Sequence, residues 1–244
     1  MMMGLRSPVQ TRFWVAQNTL VVDFGGRRRV LSSAPQGGGL TTATHVLNHQ
    51  VASAPAVHGS RPAPVWGSPS RHLRKLALAL GLDTDTVGLM TAVPMTQLVT
   101  ARASSGNLWV ECFATVGVTN AVRAGEWPAV SASSQNVRRP GTINLILVTN
   151  ASLSNAALVG AVQVATEAKT GALRDHAVPS CTAHPGATGT GTDAVVMACH
   201  RKGQSPWHLY SGTHTVIGAL IGRVVTACVT RGLAKAKGWQ ERHR

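Results

Sequence analysis

The chain has 244 residues, 44% of them hydrophobic, with only 4% aromatic and 13% charged. Lys and Arg number 23 against 9 Asp and Glu, a formal charge of +14. This apolar content excludes disorder throughout, and no unbroken apolar run reaches the ~18 residues of a membrane-spanning helix.

The first residues, Met1-Met2-Met3-Gly4-Leu5-Arg6, lead into polar sequence and carry no secretory-signal pattern. Residues 1–18 read as an N-terminal extension to a single domain over 19–232, followed by a basic tail over 233–244. Segments 19–24 and 29–33 are expected as two strands joined by a tight turn at Gly25-Gly26. After Gly37-Gly38-Gly39, a short helix is predicted over 42–49. Four prolines at 55, 62, 64 and 69 make 52–70 a predicted loop. A helix over 70–80 is expected to stop at Gly81. Strands follow over 87–91 and 108–118, then a predicted loop over 124–141.

The second half has clearer periodicity. Segments 142–149 and 194–199 are apolar on both faces, as central strands are. Ser154 is placed to cap a helix over 154–175. Over 215–232, Val216, Ile217, Leu220, Ile221, Val224, Val225, Cys228 and Val229 share one helical face. Strands and helices mix along one chain, so the fold class is α/β: a single domain with a mixed sheet packed by helices. Segments 142–149 and 194–199 are expected at its centre.

Cysteines 112, 181, 199 and 228 form no C-x-x-C pair; three sit in apolar segments and read as buried free thiols in a cytoplasmic protein. The basic residues are scattered in small groups, without a zinc-finger, helix-turn-helix or aromatic RNA-binding pattern, so no specific nucleic-acid partner is expected. His45 and His49, four apart on the predicted helix, have a spacing that can hold a metal, but the H-E-x-x-H pattern is absent and no metal site is assigned.

On the helix over 154–175, Lys169 falls in the middle of the apolar face with Leu158, Val162, Ala165, Ala172 and Leu173, and Glu167 falls on the opposite side. A lysine there either snorkels to an edge or meets a partner inside. The segment Ala187-Thr-Gly-Thr-Gly-Thr-Asp193 precedes a strand, the reverse of a Walker or dinucleotide loop, which excludes nucleotide triphosphate hydrolysis of that type. Its glycines still let backbone N–H groups approach a substrate oxygen, and Asp193 lies at the loop-to-strand junction. His214 opens the last helix, where the positive helix end disfavours an imidazolium. Lys169, Asp193 and His214 are expected to converge on one pocket.

Several motifs then occur together in order: Leu31-Ser-Ser-Ala-Pro35 with Gly37-Gly-Gly-Leu40, Val46-Leu-Asn-His-Gln-Val51, Val87-Gly-Leu-Met-Thr-Ala92, Gly141-Thr-Ile-Asn144, Leu153-Ser154, Ala165-Thr-Glu-Ala-Lys-Thr170, Ala187-Thr-Gly-Thr-Gly-Thr-Asp-Ala194 and Gly212-Thr-His-Thr215. Over about 20–232 the chain resembles the adenosylcobinamide amidohydrolases of corrinoid salvage. The resemblance implies hydrolysis of the amide between a corrin propionate and aminopropanol, giving adenosylcobyric acid. The small-molecule corrinoid is the substrate, with no separate cofactor; a metal requirement and the oligomeric state stay open.

Amide hydrolysis needs a base or nucleophile, donors for the oxyanion and a proton for the leaving amine. The candidates are Glu167 or Asp193 as base, His214 as proton carrier, and Lys169 or the backbone amides of 189–191 as oxyanion donor. Ser33 or Thr192 could supply a nucleophile. Ser33, Asn48, His49, Asn144, Thr190, Gly191, Thr192 and Thr213 are the expected substrate-binding residues. The rival reading is a non-catalytic corrinoid-binding protein, against which stands the lack of a D-x-H-x-x-G pattern.

Overall fold

The computed structural model describes residues 9–51, 68–83, 85–127, 141–182 and 186–242. The strands in chain order are β1 (Arg12–Ala16), β2 (Thr19–Ser32), β3 (Gly39–Gln50), β4 (Thr86–Thr91), β5 (Val99–Ser105), β6 (Leu108–Val116), β7 (Ala121–Val122), β8 (Ile143–Leu153), β9 (Gly189–Thr190), β10 (Ala194–His200) and β11 (Trp207–His208). The helices are α1 (Pro69–Ala79), α2 (Asn155–Asp175) and α3 (Val216–Arg242). Most strands join one mixed sheet in the order β4-β3-β2-β10-β8-β6-β5, with β1 beside β2 and β11 beside β8; β7 and β9 form a separate pair.

The two apolar strands stand at the centre, β10 parallel to β8, as their sequences require. On β10, Val195, Met197 and Cys199 face the helices while Ala194, Val196 and Ala198 face the other way, and β8 divides likewise. This period-two split buries both faces. α2 and α3 lie together on one face, α2 over β10 and α3 over β5 and β6. On the other face the sheet folds back on itself. β3 and β8 are separated by two strands in the order, yet Asn144 Nδ2 donates to Asn48 Oδ1 at 2.9 Å. Leu20, Val22, Val46, Leu89, Phe113 and Ile146 fill the space enclosed. Outside the returning strands, α1 covers Val21 and Leu47 with Ala77.

Local chemistry accounts for the helix ends. Ser154 Oγ accepts the Ala157 amide at 2.9 Å, and Ser68 Oγ accepts that of Arg71 at 3.2 Å. Gly81, at φ +73°, follows α1 where a left-handed residue is needed. By length and composition Val216–Gly238 could cross a membrane, but Ile217, Leu220, Ile221, Val224, Val225, Cys228 and Val229 are buried in the core instead.

Two expectations are corrected. Segments 19–24 and 29–33 are one strand, β2, whose register shifts between Asp23 and Arg28. Gly25, at φ +66°, makes this a bend within the strand rather than a hairpin turn. The predicted helix over 42–49 is strand β3, pairing with both β2 and β4. Two sheet neighbours outweigh local helical periodicity there. His45 and His49 are therefore about 13 Å apart along a strand and do not form a metal pair. The fragment 1–18 contributes β1, and α3 runs on through 233–242. Most of the expected loop at 52–70, and 128–140 of the loop at 124–141, lie outside the described residues.

Buried charge fixes the edge near β1. Glu111, 0% exposed, pairs with Arg102 and accepts the amides of Gln10 at 2.6 Å and Thr11 at 3.1 Å. Asp23 takes hydrogen bonds from Arg12 and the Gly25 amide and lies 3.7 Å from His45. Burial pushes the Asp23 carboxyl up, but the Gly25 amide, Arg12 and His45 outweigh it and hold it below its ordinary value. Its contribution to stability is therefore full above the unfolded carboxylate pKa of about 3.9 and is lost as pH falls through the lower folded value. Thermal melts between pH 6 and pH 3 should show a shallower acid loss in Asp23→Asn than in wild type. Leu147, 0% exposed between β8 and the helices, should cost about 2–5 kcal/mol when changed to Ala, measured by urea unfolding.

Candidate active site

Lys169 lies on the sheet-facing side of α2, as the helical wheel requires, and only 7% of the residue is exposed. Its Nζ is 2.5 Å from Asp193 Oδ2. Asp193 stands at the mouth of β10, just after the short β9 strand. Oδ2 also accepts the Thr190 amide at 3.0 Å. Oδ1 accepts the Ile143 amide at 2.9 Å and Thr190 Oγ1 at 2.5 Å. Four donors thus occupy the four lone-pair positions of the carboxylate. The pair ties α2, the start of β8 and the 189–193 turn together.

Gly189 makes the contact possible. A Cβ at this position would stand 2.5 Å from Asp193 Oδ2 and 2.7 Å from Lys169 Nζ. The turn beyond it is anchored on two sides. Thr142 Oγ1 donates to Thr192 O at 2.9 Å, and Thr170 Oγ1 donates to Thr188 O at 3.1 Å. Gly191 and Thr192 remain exposed above the buried pair, and Thr190 is half-buried. Just past the end of the neighbouring β2, exposed Ser33 is locked to β10: its Oγ accepts the Val195 amide and its N–H donates to Val195 O, both at 3.1 Å.

Behind this edge lies a buried polar seam. Asn144 Nδ2 bridges Asn48 Oδ1 and Met90 O, and Asn48 Nδ2 donates to Thr115 Oγ1 at 3.0 Å. Asn48 and Asn144 are each 1% exposed, so they support the edge from inside rather than face a ligand. Thr142 and Thr115 were not singled out from the sequence, and Gly189 was expected only as a backbone amide donor, not as the gap that admits the ion pair. Thr142 and Gly189 fall inside motifs that were singled out, whereas Thr115 is one polar residue in an apolar strand and gave no signal.

Other candidates lie elsewhere. His49 points away from Asn48, as strand alternation requires, and its Nδ1 is 2.9 Å from Thr19 Oγ1. Its ring is 5.3 Å from that of His72 on α1, and burial, then His72, push its imidazole below its ordinary pKa. Glu167 is exposed on the outer face of α2. With Leu31, Val159, Val162, Gln163 and Thr166 it lines a groove of about 380 Å³.

His214 and Thr213 are exposed at the start of α3. Nearby Ser211 Oγ donates to Ala157 O at 2.5 Å, which sets this segment at the first turn of α2. Lys169 is twelve residues further along, about 18 Å of helix. The structure therefore unites Lys169, Asp193, Thr190 and the 191–192 turn, with Ser33 on the same edge, and leaves His214 and Thr213 at the other end. Among the described residues no group of three or more His, Cys, Asp or Glu is placed to hold a metal ion.

The Adenosylcobinamide amidohydrolase family model matches residues 5–241. An adenosylcobinamide amidohydrolase of Methanosarcina mazei is 33% identical over 176 residues, 68% of this chain and 75% of that protein. One from Halobacterium salinarum is 32% identical over 173 residues, 69% of each chain. An uncharacterized Methanocaldococcus jannaschii protein is 30% identical over 236 residues, 89% of this chain and 86% of its own. A Burkholderia sp. beta-aminopeptidase of solved structure aligns over 93% of this chain and 79% of its own, with 11% identity and a TM-score of 0.45. The ordered motifs and a family match over nearly the whole length agree: the chain belongs to the adenosylcobinamide amidohydrolase family of hydrolytic enzymes.

Proposed function

We propose that the protein hydrolyses the amide between the corrin propionate side chain and aminopropanol in adenosylcobinamide, giving adenosylcobyric acid, and that Lys169 and Asp193 form the core of its active site. The observation that carries this reading is the enclosed Lys169–Asp193 pair beneath an exposed Gly-Thr turn, with the two side chains only 9% and 11% exposed.

Each partner has a distinct role. Asp193 has no lone pair left to take a proton from water, so it positions Lys169. The ammonium has three N–H groups and spends one on Asp193, leaving donors for the oxygen of a reacting carbonyl. The amide of Gly191 adds a donor at the exposed edge. Ser33 and Thr192 bring hydroxyls to the substrate's approach. The groove between α2 and Leu31 begins two residues from Ser33. It offers Val159 and Val162 to an apolar ring surface, and Gln163, Thr166 and Glu167 to peripheral amides.

Purified protein should release aminopropanol from adenosylcobinamide, scored by amine detection. Absence of release by folded protein, with and without added divalent metal, overturns the enzymatic reading; binding without release would mark a corrinoid-binding protein instead. Lys169→Met should lose about 3 kcal/mol of stability by stranding a buried carboxylate. Below its melting temperature, its kcat should still fall at least about 100-fold. Gly189→Ala leaves both charged groups in the chain but places a methyl between them and the turn. It should lower kcat more than it raises KM, and unchanged kcat in both variants would leave the pair structural.

A further inference from the structure

A second cavity lies at the opposite end of β8 from Lys169 and Asp193. It measures about 640 Å³ and is walled by Arg29, the first turn of α2 from Ser154 to Ala156, and Lys202, Trp207, Leu209 and Tyr210. That volume is within the range of small-molecule sites. Three large apolar side chains stay in solvent here: Trp207 is 40%, Leu209 57% and Tyr210 65% exposed. The backbone beneath them is not loose, because β11 pairs with the end of β8 and Ser154 Oγ donates to Leu209 O at 2.8 Å. Exposed rings next to a held backbone offer the apolar faces of a stacking platform to a ligand.

The charge around this platform has one sign. Lys202 Nζ stands 5.5 Å from the centre of the Trp207 ring. Arg29 donates to Leu153 O at 2.5 Å and to Asn155 Oδ1, so its guanidinium is held by neutral acceptors. Among the described residues no Asp or Glu lines the cavity. The α2 N-terminus adds its partial positive charge to the same wall.

We propose that this cavity binds a planar aromatic ring carrying a phosphate, as in a nucleoside monophosphate. The ring stacks on Trp207 and Tyr210, and the phosphate is met by Lys202 and Arg29. The site stands apart from the Lys169–Asp193 edge and does not depend on the amidohydrolase reading.

Isothermal titration of the full chain with AMP, adenosine and inorganic phosphate tests it. AMP should bind at least about tenfold more tightly than either fragment, since stacking and charge act together. Trp207→Ala should weaken AMP about tenfold or more, while Trp207→Phe retains most of the affinity. Lys202→Met should bring AMP down to the level of adenosine. Trp127→Ala, at another exposed tryptophan, should leave AMP binding unchanged. All these side chains are exposed, and circular dichroism verifies that each variant is folded. The proposal is overturned by absence of AMP binding at millimolar concentration, by affinity that Trp207→Ala and Lys202→Met leave unaltered, or by phosphate alone binding as tightly as AMP.

Discussion

An ammonium can sit on the sheet side of α2 because a carboxylate meets it there, and much of the strand edge is arranged around that meeting. Removing two charges from water costs several kcal/mol each unless their hydrogen-bonding capacity is met. Asp193 meets this condition with four donors drawn from α2, the start of β8 and its own turn. The rotation of α2 about its axis, the approach of the 189–193 turn and the alignment of β8 with β10 are then coupled. Gly189 belongs to the same constraint, since any side chain would occupy the space where the charges join.

The second determinant is the seam of amides and hydroxyls inside the folded-back sheet. A sheet enclosing only aliphatic side chains could slide by small amounts at little cost. Asn48, Asn144 and Thr115 each need a defined partner, and they have one only when β3, β8 and β6 are aligned as observed. Such networks contribute specificity when every member is satisfied. The seam holds the β3–β4 side against the β8–β6 side immediately behind the exposed turn, so the edge that carries Lys169 and Asp193 rests on a fixed floor.

Sequence patterns revealed α2, α3, β8 and β10 because each is long and periodic enough for one reading to prevail. Lys169 was legible from its angle on a helical wheel, and Asp193 from its place where a Gly-Thr loop enters an apolar strand. β3 was not legible: 42–49 has a short apolar rhythm compatible with a helix turn, and only pairing with β2 and β4 decides it. The same error put Asn48 and His49 together, whereas alternation along a strand sends them to opposite sides. β5, made of Val99–Ser105, escaped notice because its small side chains give little contrast. His214 was misplaced because its position depends on the route from β11 back to α3, which no local pattern encodes.

The strand order also bears on how the chain is made. β2 pairs along Arg29–Ser32 with β10, which begins at residue 194, so that edge of an early strand waits through most of synthesis for its neighbour. An uncovered edge can recruit the wrong strand, and clustered positive charge is a common safeguard. The run Arg27-Arg28-Arg29 leads into this part of β2. In the finished molecule Arg27 pairs with Asp85, Arg28 donates to Thr149 O, and Arg29 to Leu153 O. Arg28 and Arg29, without these partners while β2 is being made, thus become clasps on β8 once that strand arrives.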